Sequence, residues 1–105
     1  LDATFTSELE LARFVHAELA RTGRGIVVAN PIPRENELAA SDWKAWLDAA
    51  LSLAREAGVS GRDVTPFILS RLHDISGGRT LAANLALVRS NAALAGRLAR
   101  FMASL

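Results

Sequence analysis

Gly25-Ile26-Val27-Val28-Ala29, closed by Asn30-Pro31-Ile32-Pro33, limits what this chain can fold into more than any other stretch. An uncharged run rich in β-branched residues and ended by Asn-Pro predicts one short strand, buried on both faces. Such a strand belongs in a parallel sheet with helices above and below, where neither face meets water. No second run of this kind occurs in the sequence. A buried strand without neighbours leaves each amide and carbonyl unsatisfied at roughly 1–3 kcal/mol, a sum that rivals the whole stability of a small domain. The expectation is therefore that these residues are part of something larger, or that another chain completes the sheet.

The remaining bounds are consistent with one modest core. The chain has 105 residues, half of them hydrophobic and 22% charged, which excludes a disordered tail. Its apolar runs are too short to span a bilayer, and no signal peptide is visible. Leu1 is not an initiator residue, so the expected N-terminus lies upstream or has been lost. The absence of cysteine removes disulfide and thiolate chemistry and suits a cytoplasmic protein. A net charge of +1 gives no reason to expect nucleic acid, and no aromatics are interleaved with the basic positions to stack on bases. After Asp74 the chain holds Arg79, Arg89, Arg97 and Arg100 and no acid. The expectation is that they line the solvent face of the last helix.

Helix signals bracket the predicted strand. Ser7 and Glu10 have the spacing of a capping box, and Leu11, Ala12, Val15 and Leu19 make a stripe up to about Thr22, with Gly23 and Gly25 at the exit. Asn30–Pro33 leaves the sheet, where ligands gather in open α/β folds. A pocket edge and a rigid exit turn are both open readings of this segment. Ser41 is the expected cap of a second helix carrying Trp43, Trp46, Leu47, Ala50, Leu51 and Ala54 and ending at Gly58. Thr65-Pro66 predicts the start of a short, buried third helix stopped by Gly77-Gly78, and Thr80 is the expected cap of a long last helix.

In that last helix Leu81, Asn84, Leu85, Val88, Asn91, Ala92, Ala95 and Leu98 share one face. Two carboxamides about 10 Å apart along the axis sit in an apolar stripe, and buried amides need partners in protein, water or ligand. Spacing favours a structural role for both, Asn91 more than Asn84. His16 and His73 stand alone, short of the converging ligands a metal site needs. Lys44, the only lysine, falls on the exposed side of a helix, away from any group that would activate it as a nucleophile.

Three blocks carry a resemblance: Gly25–Pro33; Val64-Thr65-Pro66-Phe67-Ile68-Leu69; and Gly77-Gly78-Arg79-Thr80-Leu81-Ala82-Ala83-Asn84-Leu85-Ala86-Leu87-Val88 with Asn91-Ala92. In their order and spacing they resemble the C-terminal third of the pseudouridine-5'-phosphate glycosidase family, which includes the indigoidine synthase A proteins. The resemblance covers residues 1–105. It implies an α/β fold, α/β/α layered and assembled as a homotrimer, of which this chain is a mostly helical C-terminal piece with one buried strand. It implies reversible cleavage of the C–C glycosidic bond of pseudouridine 5'-phosphate to uracil and ribose 5-phosphate. It also implies a divalent metal such as Mn²⁺, with no ligand in this chain.

The family's mechanism uses a Schiff-base lysine, a glutamate and a metal-site aspartate, whose segments lie upstream of the three blocks. One family site residue transfers, the asparagine of the Gly-Gly-x-Ser/Thr-Leu-x-x-Asn block, which is Asn84 here. The implied role is substrate contact, since a carboxamide suits the donor–acceptor edge of a uracil-like base. The implied partners are the nucleotide, the upstream part of the enzyme and further copies of the chain, with no membrane and no nucleic acid. Alone, the 105 residues are expected to be inactive. The alternative is a truncated, non-catalytic interaction or oligomerisation module of the same ancestry.

Overall fold

In a computed structural model, which describes residues 2–105, the chain is built from four α-helices: α1 (Glu8–Thr22), α2 (Ala40–Glu56), α3 (Val64–Ile75) and α4 (Arg79–Ala103). Short 3₁₀ turns, Arg34–Asn36 and Gly61–Asp63, precede α2 and α3. Two compact units are present, and the division between them falls within α4. One unit comprises the chain up to Pro31 with Val88–Leu105, and the other comprises Ile32–Leu87.

In the first unit, Ser7 caps α1 as its spacing predicts. The Ser7 hydroxyl accepts the Glu10 N–H at 3.3 Å. The Glu10 carboxylate does not return the bond, so half of the capping box forms. Phe5 folds against Phe14 with ring centroids 5.1 Å apart. Ala12 and Leu98 are the buried apolar residues of this unit. Glu8 and Arg97 join α1 to α4 through a fork of hydrogen bonds at 2.8–3.0 Å. Arg97 is therefore paired, although its partner is 89 positions away in sequence.

The predicted strand is corrected by the structure. Gly25–Pro33 forms neither helix nor strand, and no strand occurs among the described residues. Burial fails too, since Val27 is 94% exposed and Val28 39%. The physical reason is that a strand is a paired state: its carbonyls and amides need a ladder, and the described residues offer none. Without one, β-branched composition alone does not make a strand.

In the second unit α2 packs on α3. Ala50 and Ala54 of α2 and Leu72 of α3 are buried, joined by Ala83 of α4. A seam made mainly of alanine lets helix backbones approach closely but buries little apolar area per residue. α3 is less covered than its composition predicts, with Leu69 48% exposed. Helix starts differ from expectation by a residue or two. α2 begins at Ala40 with Ala39 in the cap position and no side-chain cap, which puts Ser41 inside the first turn. α3 begins at Val64, continuing directly from its 3₁₀ turn, so Thr65 and Pro66 also fall within the first turn. Pro66 is tolerated there because first-turn N–H groups have no intrahelical acceptor.

Arg97 holds the Glu8 carboxyl below its ordinary value of 4.5, chiefly through the hydrogen bonds between them. A depressed carboxylate pKa stabilises the fold above the unfolded value and loses that contribution as pH falls through the folded one. Thermal melts of the wild-type protein and of Glu8→Gln should differ at pH 7 by a small margin that shrinks as pH falls below 4.5. A constant difference across that range would show that the pair is irrelevant to stability.

Candidate functional site

Asn84 lies in the second turn of α4, and the first turn of that helix is held unusually well. Gly77 and Gly78 take φ of 65° and 85°, the left-handed region open mainly to glycine, and so reverse the chain at the end of α3. The Gly78 N–H returns to the His73 carbonyl at 2.8 Å and the Gly77 N–H to that of Asp74 at 3.2 Å, the two bonds of a Schellman ending. Thr80 is not the cap that its spacing suggests. Instead the Ser76 hydroxyl accepts the Thr80 N–H at 3.1 Å, and the Thr80 hydroxyl meets His73 Nδ1 at 2.7 Å. Ser76 and Thr80 are both buried. Arg79 adds a further tie, with its guanidinium 5.0 Å from the Trp46 ring centroid and 3.7 Å from Asp42. Trp46 thus packs against a cation, worth about 0.5–1 kcal/mol at a site open to water.

Asn84 itself is exposed, and its carboxamide makes no hydrogen bond among the described residues. The apolar side chains that share its face are open as well: Leu81 is 43% exposed, Leu85 48% and Val88 54%. The expected buried stripe is an uncovered surface with one free carboxamide in it. Asn91 differs. Its Oδ1 accepts from Asn30 Nδ2 at 2.9 Å, and the same Nδ2 lies 3.1 Å from the Ser90 hydroxyl. Asn91 thus anchors the exit of the Gly25–Pro33 segment, the structural role its spacing favours. Sequence reasoning missed Ser76 and His73, because a hydroxyl three residues before a helix start reads as the tail of the previous helix.

Two shallow grooves stand out among the described residues. One, of about 170 Å³, is lined by Phe5–Glu8, Leu11, Val28–Pro31 and Leu94, so Asn30 and Pro31 do border a concavity. The other, of about 260 Å³, lies between Glu35–Leu38 and the Arg79, Ala82 and Ala83 side of α4. Asn84 lines neither. His16 is exposed, and among the described residues no three His, Cys, Asp or Glu side chains gather so as to hold a metal ion. Lys44 is ion-paired with Asp48 at 3.0 Å and its side chain is 79% exposed. Among the described residues no helix is long and apolar enough to cross a membrane.

The model of the family described as "Indigoidine synthase A like protein" matches residues 1–101. The chain belongs to that family. Curated relatives named pseudouridine-5'-phosphate glycosidase include one from Methylobacterium nodulans, 53% identical over 77 residues, covering 73% of this chain and 23% of the relative. Another, from Geobacillus kaustophilus, is 43% identical over 102 residues, covering 95% of this chain and 34% of the relative. A third, from Sorangium cellulosum, is 37% identical over all 105 residues and 33% of its own length. The matched segments thus span between 23% and 34% of these proteins. A crystal structure of the prealnumycin C-glycosynthase AlnA in complex with ribulose 5-phosphate superposes with a TM-score of 0.81, covering 95% of this chain and 33% of that one. At 24% identity this likeness shows the fold.

The Asn30–Asn91 bond should contribute modestly to stability. Asn30→Ala and Asn91→Ala should each cost about 0.5–1.5 kcal/mol, and the double variant should lose less than the sum of the two. Denaturant titrations of the four proteins measure this. Strict additivity would mean the carboxamides do not support one another.

Proposed function

We propose that this chain is the C-terminal part of a pseudouridine-5'-phosphate glycosidase, an α/β/α-layered enzyme that reversibly cleaves pseudouridine 5'-phosphate to uracil and ribose 5-phosphate. Within it, Asn84 contacts the substrate. The observation that carries this reading is the state of Asn84, exposed and without a partner between exposed leucines on a firmly held helix end. A structural asparagine at that place would spend its amide on a neighbour, as Asn91 does. A carboxamide can donate and accept at once, and so can pair with the N–H and C=O edge of a uracil ring. The names carried by the curated relatives support the same substrate.

The rest of the enzyme supplies what this chain lacks. In this reading Ile26–Ala29 adds to a sheet provided by the upstream part, and the exposed face of α4 is covered there or by further copies in a cytoplasmic homotrimer. The described residues do not fit a Mn²⁺ site, so a divalent ion would be held elsewhere in the enzyme. The Schiff-base lysine is also assigned to the upstream part.

In the complete enzyme, Asn84→Ala should lower kcat/KM by about 5- to 150-fold, the loss of one well-placed hydrogen bond. The melting temperature should barely move, because Asn84 supports no other group. A clear loss of stability with normal kinetics of the folded protein would refute the substrate contact. Borohydride reduction in the presence of ribose 5-phosphate should leave Lys44 unlabelled, since its ammonium is open to water and paired with Asp48. Mass spectrometry locating an adduct on Lys44 would overturn the assignment of the nucleophile to another segment.

A further inference from the structure

From the corner between α3 and α4 we infer that His73, acting through Thr80, is a positioning residue for Asn84. The inference rests on the reading of Asn84 as a substrate contact. Thr80 and Asn84 are four residues apart, so in the helical ladder the Thr80 carbonyl accepts the Asn84 N–H. Asn84 is held in α4 only while the turn that begins at Thr80 is formed. Helix ends fray, and the first N–H groups have no intrahelical acceptor. At this end both polar groups that Thr80 presents toward α3 are engaged: its N–H by Ser76 Oγ at 3.1 Å, and its hydroxyl by His73 Nδ1 at 2.7 Å.

Ser76 Oγ already accepts the Thr80 N–H, and its own proton can go to Thr80 Oγ1 at 3.3 Å or to the His73 carbonyl at 3.4 Å. In the inferred arrangement Ser76 gives its proton to Thr80 Oγ1, and Thr80 gives its own to His73 Nδ1, 2.7 Å away. His73 therefore carries its proton on Nε2, and the chain of bonds runs from the α3 imidazole through the α4 hydroxyl to the turn that bears Asn84. Removing the imidazole or the hydroxyl leaves the capping bond from Ser76 but frees the azimuth of the first turn, so the carboxamide one turn later no longer points in one direction.

The test is a set of variants of the full-length protein, assayed on pseudouridine 5'-phosphate at a temperature where circular dichroism shows every variant folded. Thr80→Val and His73→Leu should each lower kcat/KM by about 3- to 10-fold, the range of one neutral hydrogen bond. Thr80→Ser should restore activity, and so should His73→Asn, whose carboxamide can accept near the position of Nδ1. In an Asn84→Ala background the Thr80→Val loss should vanish, since a group that acts only through Asn84 has nothing left to position. Histidine ¹⁵N spectra of the neutral ring should show the Nε2–H tautomer for His73. Undiminished additive losses in the Asn84→Ala background, a lower melting temperature with normal kinetics, or an Nδ1–H tautomer would each overturn the inference. Normal kinetics of Asn84→Ala alone would remove the substrate-contact reading and this inference with it, in an arm separate from the others.

Discussion

The proposed role of Asn84 depends on the corner at Ser76–Thr80. A helix end that faces solvent is normally its least certain part, because its first N–H groups lack partners. Here two glycines with positive φ turn the chain back on α3, a buried serine caps the new helix, and a buried threonine hydroxyl ties it to an imidazole. Arg79 is held from the other side by Trp46 and Asp42. The direction of α4 as it leaves this corner decides where Asn84 points.

Against that ordered corner stands a large amount of apolar surface with nothing over it. Among the described residues the buried apolar side chains are mostly alanines, with Leu72 and Leu98 the only large ones. Val27, Leu81, Leu85 and Val88 are among the apolar side chains that remain open. Apolar side chains exposed in this number mark surfaces that another part of a protein covers. The relatives, about three times the length of this chain, have the residues to cover them.

Much of the helical framework was legible in the sequence, and for local reasons. Ser7 as a cap, the end of α1 at Gly23, the end of α2 at Gly58 and the break at Gly77-Gly78 each depend on contacts within about five positions. Other helix starts were off by a residue or two, as at Ser41, at Thr65 despite its Thr-Pro signal, and at Thr80. At Thr65 the preceding 3₁₀ turn already supplies the helical geometry, so the helix starts before the hydroxyl. The arginine-rich end also read incompletely, because the acids that pair with Arg79 and Arg97 come from distant segments, Asp42 and Glu8.

By itself the sequence determined four helices, the turns between them, and a β-branched segment with no possible partner in the chain. Those follow from backbone propensity, capping and spacing, all of which act over short range. Only the tertiary structure decided that Gly25–Pro33 is neither paired nor buried, that Asn91 is bound to Asn30, and that Asn84 stands free. These outcomes turn on which groups meet across tens of residues, since a hydrogen bond or a buried face exists only when its other half is in place.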